Sequence, residues 1–267
     1  MAGKLTNYAE NKMLDHILKV ASFTRPTALF LGLCTADPGD AATGGAIAEP
    51  TGGAYARKPC DTWNSAAARA TSISTVITFD TATEPWGNMG FFAILDTLTL
   101  LTGNVIAYGN ITPARTMTTG DAPAIDAGDF NVSVDAGGSS DYLANAMLDH
   151  LLPDSAYTPP AAIFIGLATG TILDADTGTT ISEPGENYAR IQHDDWKIAA
   201  AGASSNSGQI IFAKATGGTW GTITDIGLMD TLTTGNLLIH AELATDKEII
   251  VSDIAKWADG DMAITMD

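Results

Sequence analysis

The chain has 267 residues, of which 45% are hydrophobic and 16% are charged, and it contains 27 glycines and 11 prolines. This much apolar sequence can build a sizeable core, which excludes a disordered chain, and the glycine and proline content favours short strands and turns. The formal net charge of −18 would repel nucleic-acid phosphates and anionic lipids, so we expect no nucleic-acid partner and no membrane partner. No stretch reaches the roughly 18 apolar residues of a membrane span. The first residues lack the apolar core of a signal peptide, which predicts synthesis in a cytoplasm.

The sequence repeats itself at an offset of about 134 residues. NKMLDHIL at 11–18 returns as NAMLDHLL at 145–152, and PTALFLGL at 26–33 returns as PAAIFIGL at 160–167. Because each unit has the size of a normal domain, the repeat indicates a duplicated domain rather than a solenoid.

The two copies are predicted to be separate domains, residues 1–136 and residues 137–267. The junction has the composition of a short flexible linker, with the residues Gly137, Gly138, Ser139 and Ser140.

Each copy begins with a predicted helix. Thr6 and Ser140 are the predicted N-caps. Apolar residues then recur at helical spacing, at Leu5, Tyr8, Met13 and Ile17 in the first copy and at Leu143, Met147 and Leu151 in the second.

After Pro26 and Pro160 the pattern changes to strands. ALFLGL and AIFIGL are short apolar runs typical of buried strands, and TSISTVITF alternates between apolar and polar residues. Clusters of glycine, asparagine and proline separate these runs as turns. The predicted fold is mainly β, with two tandem β-sandwich or jelly-roll-like domains. Each is preceded by a short N-terminal α-helix and contains about six to eight antiparallel strands.

Each predicted helix ends with an Asp-His pair, Asp15-His16 and Asp149-His150. Such a pair suggests either a catalytic dyad or half of a metal site. Neighbouring residues of a helix do not face each other, and no GxSxG-like nucleophile motif accompanies either pair. The position one turn after His16 is Val20, which cannot be a zinc ligand. We therefore predict a structural helix end, with the histidine near the negative end of the helix dipole and the aspartate facing solvent.

A second repeated motif combines a glutamate, a tyrosine and an arginine. It reads AEPTGGAYAR at 48–57 and SEPGENYAR at 182–190. In a chain with only 13 basic residues, a repeated arginine is well placed to pair with a repeated carboxylate. We favour a loop clasp over a ligand site, with Glu49 as the candidate partner of Arg57 and Glu183 as that of Arg190. Tyr55 and Tyr188 of the same motif are further structural or docking candidates.

Repeated aromatic residues complete the set of structural or docking candidates, which adds Tyr8, Trp63, Trp86, Tyr142, Trp196 and Trp220. The Trp-Gly pairs at 86–87 and 220–221 are expected to pack at the start of a strand or at a bend.

The remaining candidate groups predict no catalytic residue, metal or cofactor. DADTG at 174–178 resembles the start of a calcium loop but lacks the glutamate at the twelfth position, so we expect an acidic surface loop. His193, His240, Cys34 and Cys60 occur in one copy only, and no spacing joins them into a site.

The order of these landmarks resembles a family of tailed-bacteriophage virion proteins that are usually labelled as tail-fibre proteins. The resemblance runs through the LDHxL helix, the FLGL strand, the YAR loop, the WG pairs and the TGN turns. It implies a virion structural component that is assembled in the host cytoplasm, and it offers no known catalytic residue to carry over to this chain. Family members carry a single copy, and this chain departs from that pattern by carrying two.

Within that class, the sequence favours a capsid decoration, or cement, protein that binds the outer face of the shell and stabilises contacts between capsomers. Two similar docking surfaces on one chain suit a repetitive lattice. The expected partners are the major capsid protein or other virion proteins, with self-association as a further option. The alternatives are a tail fibre or adaptor component that contacts the host surface, and a carbohydrate-binding module, which requires exposed tryptophans. An enzyme is not expected.

Overall fold

The computed structural model describes residues 1–136, 138–152 and 154–265. Strands account for 35% of the chain and helices for 8%, so the prediction of a mainly β protein is confirmed. Each half opens with a short helix that is followed by strands. We call residues 1–136 copy one and the described residues from 138 onward copy two.

The two helices are α1 (Asn7–Ile17) and α2 (Asp141–Leu151). Both begin at the predicted N-caps, because the Thr6 hydroxyl accepts a hydrogen bond from Ala9 N and the Ser140 hydroxyl accepts one from Leu143 N. Neither helix in the described part of the chain is long and apolar enough to cross a membrane.

Copy one contains nine strands, one of which precedes the helix. They are β1 (Ala2–Leu5), β2 (Phe30–Cys34), β3 (Lys58–Pro59), β4 (Ala70–Ser72), β5 (Ile77–Thr78), β6 (Gly87–Leu95), β7 (Val105–Met117), β8 (Ala124–Ile125) and β9 (Asn131–Ser133).

The described residues of copy two form eight strands that match β2 to β9 in order. They are β10 (Phe164–Ala168), β11 (Ile191–Gln192), β12 (Ala203–Ser205), β13 (Ile210–Ile211), β14 (Gly221–Met229), β15 (Leu237–Ile249), β16 (Lys256–Trp257) and β17 (Ala263–Thr265). The last two residues of the predicted closing strand, 266–267, lie outside the described residues.

The strand β1 makes the two copies differ in topology. In copy one it lies between β7 and β9 and joins a seven-stranded sheet of order β3-β2-β6-β7-β1-β9-β4. It pairs parallel to β9, so the prediction of purely antiparallel strands is wrong at this point. In copy two the sheet β11-β10-β14-β15 and the pair β12-β17 are separate. The segment of copy two that matches β1 forms one isolated antiparallel β-bridge among its described residues, between Ser139 and Ile239 of β15.

The largest cluster of buried apolar residues extends through both copies. It includes Met13 and Leu14 of α1 together with Met147 and Leu148 of α2, all fully buried, and it continues into the sheets on either side. The two copies therefore share one continuous core, which a flexible pair of separate domains would not do. Cys34 and Cys60 are buried and unbridged.

The junction between the copies is anchored by hydrogen bonds. Gly137 lies outside the described residues. Ser140 is fully buried and donates from its hydroxyl to Leu237 O at 2.5 Å, and Ser139 is 6% exposed. The prediction of a flexible linker is therefore wrong for these two serines, because Ser140 is tied to Leu237 of copy two and Ser139 accepts hydrogen bonds from Arg69 of copy one.

The Gly109→Ala variant should lower the free energy of unfolding by about 1–3 kcal/mol, as expected for overpacking. A Cβ at Gly109 would collide with the carbonyl oxygen of Ala2 and with the Phe92 ring, and it would push β1 away from β7. Urea denaturation measures the effect. Gly90→Ala is the control in the neighbouring strand, where the nearest atom would be 3.7 Å away. Equal stabilities of the two variants would contradict the close packing of β1.

Candidate functional site

The two repeated helix ends meet each other at the centre of the molecule. The rings of His16 and His150 stack with their centroids 4.9 Å apart and their planes 23° from parallel. Both rings are buried, at 6% and 4% exposure. We call this region the copy interface: Asn11, Asp15 and His16 on α1, their counterparts Asn145, Asp149 and His150 on α2, and the loops 66–69 and 199–202 that they contact.

Both histidines are neutral and carry their proton on Nε2. Phe23 N donates to His16 Nδ1 and Tyr157 N donates to His150 Nδ1, each at 3.1 Å, so Nδ1 must be the acceptor. The remaining nitrogen then donates across the interface, from His16 Nε2 to Tyr157 O and from His150 Nε2 to Phe23 O, each at 3.2 Å. Each ring therefore ties a loop of its own copy to a loop of the other copy.

The aspartate and asparagine of each helix bind backbone amides of the opposite copy. Asp15 Oδ1 accepts from Ala199 N at 2.7 Å, and Asp149 Oδ1 accepts from Ala66 N at 2.6 Å. Hydrogen bonds from Gly202 N to Asn11 Oδ1 and from Arg69 N to Asn145 Oδ1 are both 2.9 Å long. The same three residue types act in both directions, so the interface has the reciprocal form of a twofold dimer contact.

This arrangement corrects the prediction for the Asp-His pairs. Asp15 is 8% exposed and faces the other copy rather than solvent. Burial raises the pKa of Asp149, and the nearby Asp154 raises it further. The i, i+4 spacing of the asparagine and the aspartate places both on one face of the helix. That repeated polar face on an otherwise buried helix was the sequence signal for a contact between the copies.

Arg69 fixes the junction between the copies, and the sequence gave no indication of this role. Its guanidinium donates to Val134 O at 3.3 Å, to Ser139 O at 2.8 Å and also to Asp135 O. It further pairs with two carboxylates of copy two, Asp141 and Asp174, at 3.4 Å each.

Asp174 also accepts from His240 Nε2 at 2.9 Å. The first aspartate of DADTG is thus part of a junction cluster with Arg69, while Asp176 caps its own turn by accepting from Leu173 N at 2.7 Å. The described residues include no group of three or more His, Cys, Asp or Glu that could hold a metal ion.

The glutamate–arginine clasp is present in both copies. In copy one, Arg57 binds Glu49 through Nε and through NH2, the latter at 2.6 Å, and the Tyr55 hydroxyl donates to the same carboxylate at 2.8 Å. Arg57 NH1 also donates to the carbonyls of Thr97, Thr99 and Thr102. Burial, followed by the carboxylate, raises the pKa of the Tyr55 phenol. The clasp therefore fixes the loop between β6 and β7 from inside.

Copy two builds a more open version of the same clasp. Arg190 pairs with Glu183 at 2.9 Å, and Tyr188 donates to that carboxylate at 3.0 Å. The side chain of Glu183 is 23% exposed, whereas that of Glu49 is 1% exposed. Two segments around the clasp are shorter in copy two: the loop between β14 and β15 by two residues (DTLTTGN against DTLTLLTGN) and the glutamate segment by one (SEPGENYAR against AEPTGGAYAR).

The repeated aromatic residues are mostly core residues. Trp63, Trp86, Trp196 and Trp220 are between 3% and 7% exposed. Gly87 and Gly221, which follow two of them, begin β6 and β14 with positive φ values. Tyr8 packs edge-on against Phe23, while its counterpart Tyr142 is 43% exposed. The alternative of a carbohydrate-binding module required exposed tryptophans. Because these four are buried, they do not support it.

A known protein family matches both copies. The family described as podophage GP4 fiber I protein gp80 matches residues 4–133 and again residues 138–265. The chain belongs to this family. It is a tandem duplication of a phage fibre protein, which confirms the resemblance to virion proteins labelled as tail-fibre proteins. No curated protein matches the chain.

Membership of this family decides between the predicted functions at a coarse level. The protein is a phage virion structural protein of a fibre family. The preference for a capsid cement protein therefore gives way to the fibre alternative. The family points to a structural role and not to an enzyme.

Lowering the pH below about 6.5 should destabilise the copy interface. Burial lowers the pKa of His150 from its ordinary value of 6.5, and His16 and Arg25 lower it further, against the hydrogen bond to Phe23 O. The unfolded chain then binds the proton more readily than the folded chain, so stability is lost as the pH falls from 6.5 through the lowered folded pKa. Denaturation midpoints at about pH 7.5 and about pH 5 measure the change. His150→Gln keeps a donor and an acceptor but does not titrate, so its stability should depend less on pH. If its stability depends on pH as strongly as that of the wild type, His150 is not the group responsible.

Arg57→Ala should cost about 3–5 kcal/mol, because it leaves the Glu49 carboxylate buried and unpaired. Arg190→Ala is the matched variant and should cost clearly less, since water reaches the Glu183 carboxylate. Guanidinium denaturation of both variants measures the difference. Equal losses would show that burial of the glutamate is not what sets the cost.

Proposed function

We propose that this protein is a tail-fibre or adaptor component in which the two copies of the fibre fold act as a single rigid unit that contacts the host surface and other virion proteins. The observation that carries the proposal is the copy interface. Its hydrogen bonds, stacked rings and shared core join the copies, so that neither can rotate freely about the junction.

A fused pair has a mechanical advantage over two separate subunits. In a dimer of single-copy proteins the reciprocal contact would be lost on dilution, whereas on one chain it forms within the molecule. A part of a virion that projects into solution and meets a host benefits from a contact that does not depend on concentration. The acidic surface of the chain, with a net charge of −18, keeps such a projecting part soluble.

We also propose that the chain consists of two domain-sized units, residues 1–136 and residues 137–267. The matching order of elements supports these boundaries, as does the position of the two family matches. Fourteen of the sixteen candidate residues then have structural roles: the Asp-His pairs join the copies, the clasps shape the loops between β6 and β7 and between β14 and β15, and the tryptophans fill the core.

Locating the protein in the virion tests the proposal. Purified phage particles would be labelled with an antibody against this chain for electron microscopy, and its copy number would be measured by quantitative mass spectrometry. We expect label on the tail and about a dozen copies, or a small multiple of the tail symmetry. Label over the whole head, with hundreds of copies, would reject a fibre or adaptor role.

A further inference from the structure

Copy two contains an open cavity at a place where copy one is nearly filled. The cavity of copy two has a volume of about 470 Å³, and Leu167, Leu243 and Trp257 are among the residues that line it. The cavity of copy one has a volume of about 120 Å³ and is lined at the matching positions by Leu33, Ile111 and Ile125. The two cavities thus lie at the same place in the fold, and that of copy one is the more completely filled by protein.

The first residues of the chain occupy this feature in copy one. Met1 lines the cavity and packs against the main core, and its ammonium group donates to Asp129 O at 2.6 Å. From there, β1 continues between β7 and β9. The residue one repeat after Met1 is Asp135, near the end of copy one, which is exposed and lies at the junction, where its carbonyl accepts from Arg69. Asp135 therefore does not take the place of Met1 in copy two.

The surface beside the open cavity is apolar, unlike its counterpart in copy one. Ile250, Val251 and Ile254 lie in the turn after β15 and are 48%, 50% and 48% exposed. At the matching positions copy one has Thr118, Thr119 and Ala122. Trp257, which is half-buried against Phe212, stands where copy one has the buried Ile125. Exposed apolar side chains grouped around a cavity mark protein interaction sites, and tryptophan is enriched in them.

The charges at the cavity also differ from the rest of the surface. Lys247 and Lys256 line the cavity together with Asp253. In a chain with 13 basic and 31 acidic residues, this is a locally basic position. It favours an apolar segment that carries neutral or acidic neighbours.

We propose that the copy-two cavity binds an extended segment of another virion protein, which inserts one large, flexible apolar side chain as Met1 does in copy one. That the partner is a virion protein rests on the proposed function, whereas the preference for such a segment rests on the filled cavity of copy one. Binding of this kind adds a strand or an extended stretch to a sheet edge and places an anchoring side chain in a pocket.

The path of the segment cannot match that of β1 in every detail. Gly109 lets β1 approach β7, since a Cβ there would collide with Ala2 O. Copy two has Ala241 at the matching position of β15. Gly138 O also accepts from His240 N, so the chain itself holds the place beside β15 that matches Lys4. The bound segment therefore matches β1 only at its first residues and runs farther from β15 there than β1 does from β7. Removing the Ala241 methyl group should strengthen its binding.

The test uses the full chain and the peptide Met-Ala-Gly, which is the sequence of residues 1–3, acetylated at its N-terminus and amidated at its C-terminus so that it carries no charge. Isothermal titration calorimetry measures the affinity, and the fluorescence of the half-buried Trp257 reports the place of binding. Ile254→Asp should weaken binding at least about tenfold, a change of about 1.4 kcal/mol. Ala241→Gly should strengthen it. Val76→Asp is the control, because Val76 is an exposed apolar residue of copy one, at 56% exposure, and lines neither cavity.

Three results would overturn the proposal. The first is an absence of binding at about 1 mM peptide to both the wild-type chain and Ala241→Gly. The second is an equal loss with Ile254→Asp and Val76→Asp. The third is self-association of the full chain that Ile254→Asp abolishes, because the occupant would then be a second copy of this chain. Label on the phage head would reject the proposed function without affecting the peptide result, so the two failures can be told apart.

Discussion

Two buried histidine rings, stacked with their centroids 4.9 Å apart, define how the molecule is assembled. Each neutral ring has one donor and one acceptor nitrogen, and both are used, the acceptor within its own copy and the donor across to the other. The ring that holds a loop in place is thus also the ring that joins the copies. Protonating His150 would set its Nδ1–H against the N–H of Tyr157, so the position of that loop and the docking of the copies depend on the same ring.

Away from the copy interface, the two copies carry different residues where only one of them makes a contact. Arg69 adopts a φ of +64°, in the region that favours glycine, and copy two has Gly202 at the matching position with a φ of +70°. A left-handed backbone costs a non-glycine residue about 1–2 kcal/mol. In copy one this cost is offset by the hydrogen bonds of the guanidinium to both sides of the junction, which exists only once in the chain. The clasp also differs between the copies, in the exposure of its glutamate side chain.

Several features could be predicted from the sequence because their signals are local or repeated. Thr6 and Ser140 are standard cap residues, and the Glu49–Arg57 partners are near in sequence and recur as Glu183–Arg190, so composition and the repeat were sufficient. The mainly β class followed from short apolar runs between turns.

The copy interface could not be predicted in the same way. Asp15 binds the amide of Ala199, 184 residues away, and a backbone amide leaves no mark on the sequence. The insertion of β1 between β7 and β9 could not be predicted from the sequence either. It depends on space over the Phe92 ring and beside Gly109, and the pattern of apolar residues does not show that space.

The two copies share the residues that the fold requires and differ at positions that the fold leaves free. Positions that both copies need for folding carry the same residue twice, as the Asn-Asp-His face and the Glu-Tyr-Arg clasp do. Threonines 118 and 119 are sufficient for the fold at the turn after β7, so folding alone does not require Ile250 and Val251 at the same turn of copy two. Two large exposed apolar side chains lower solubility, and copy one forms the same turn without them. Copy one completes its sheet with β1. In copy two, Gly138 and Ser139 pair with β15 at the positions that match Lys4 and Leu5, while the space beside Met1 of copy one is matched by an open cavity. Duplication therefore kept the strand pairing at these two residues and left the cavity without its anchoring side chain.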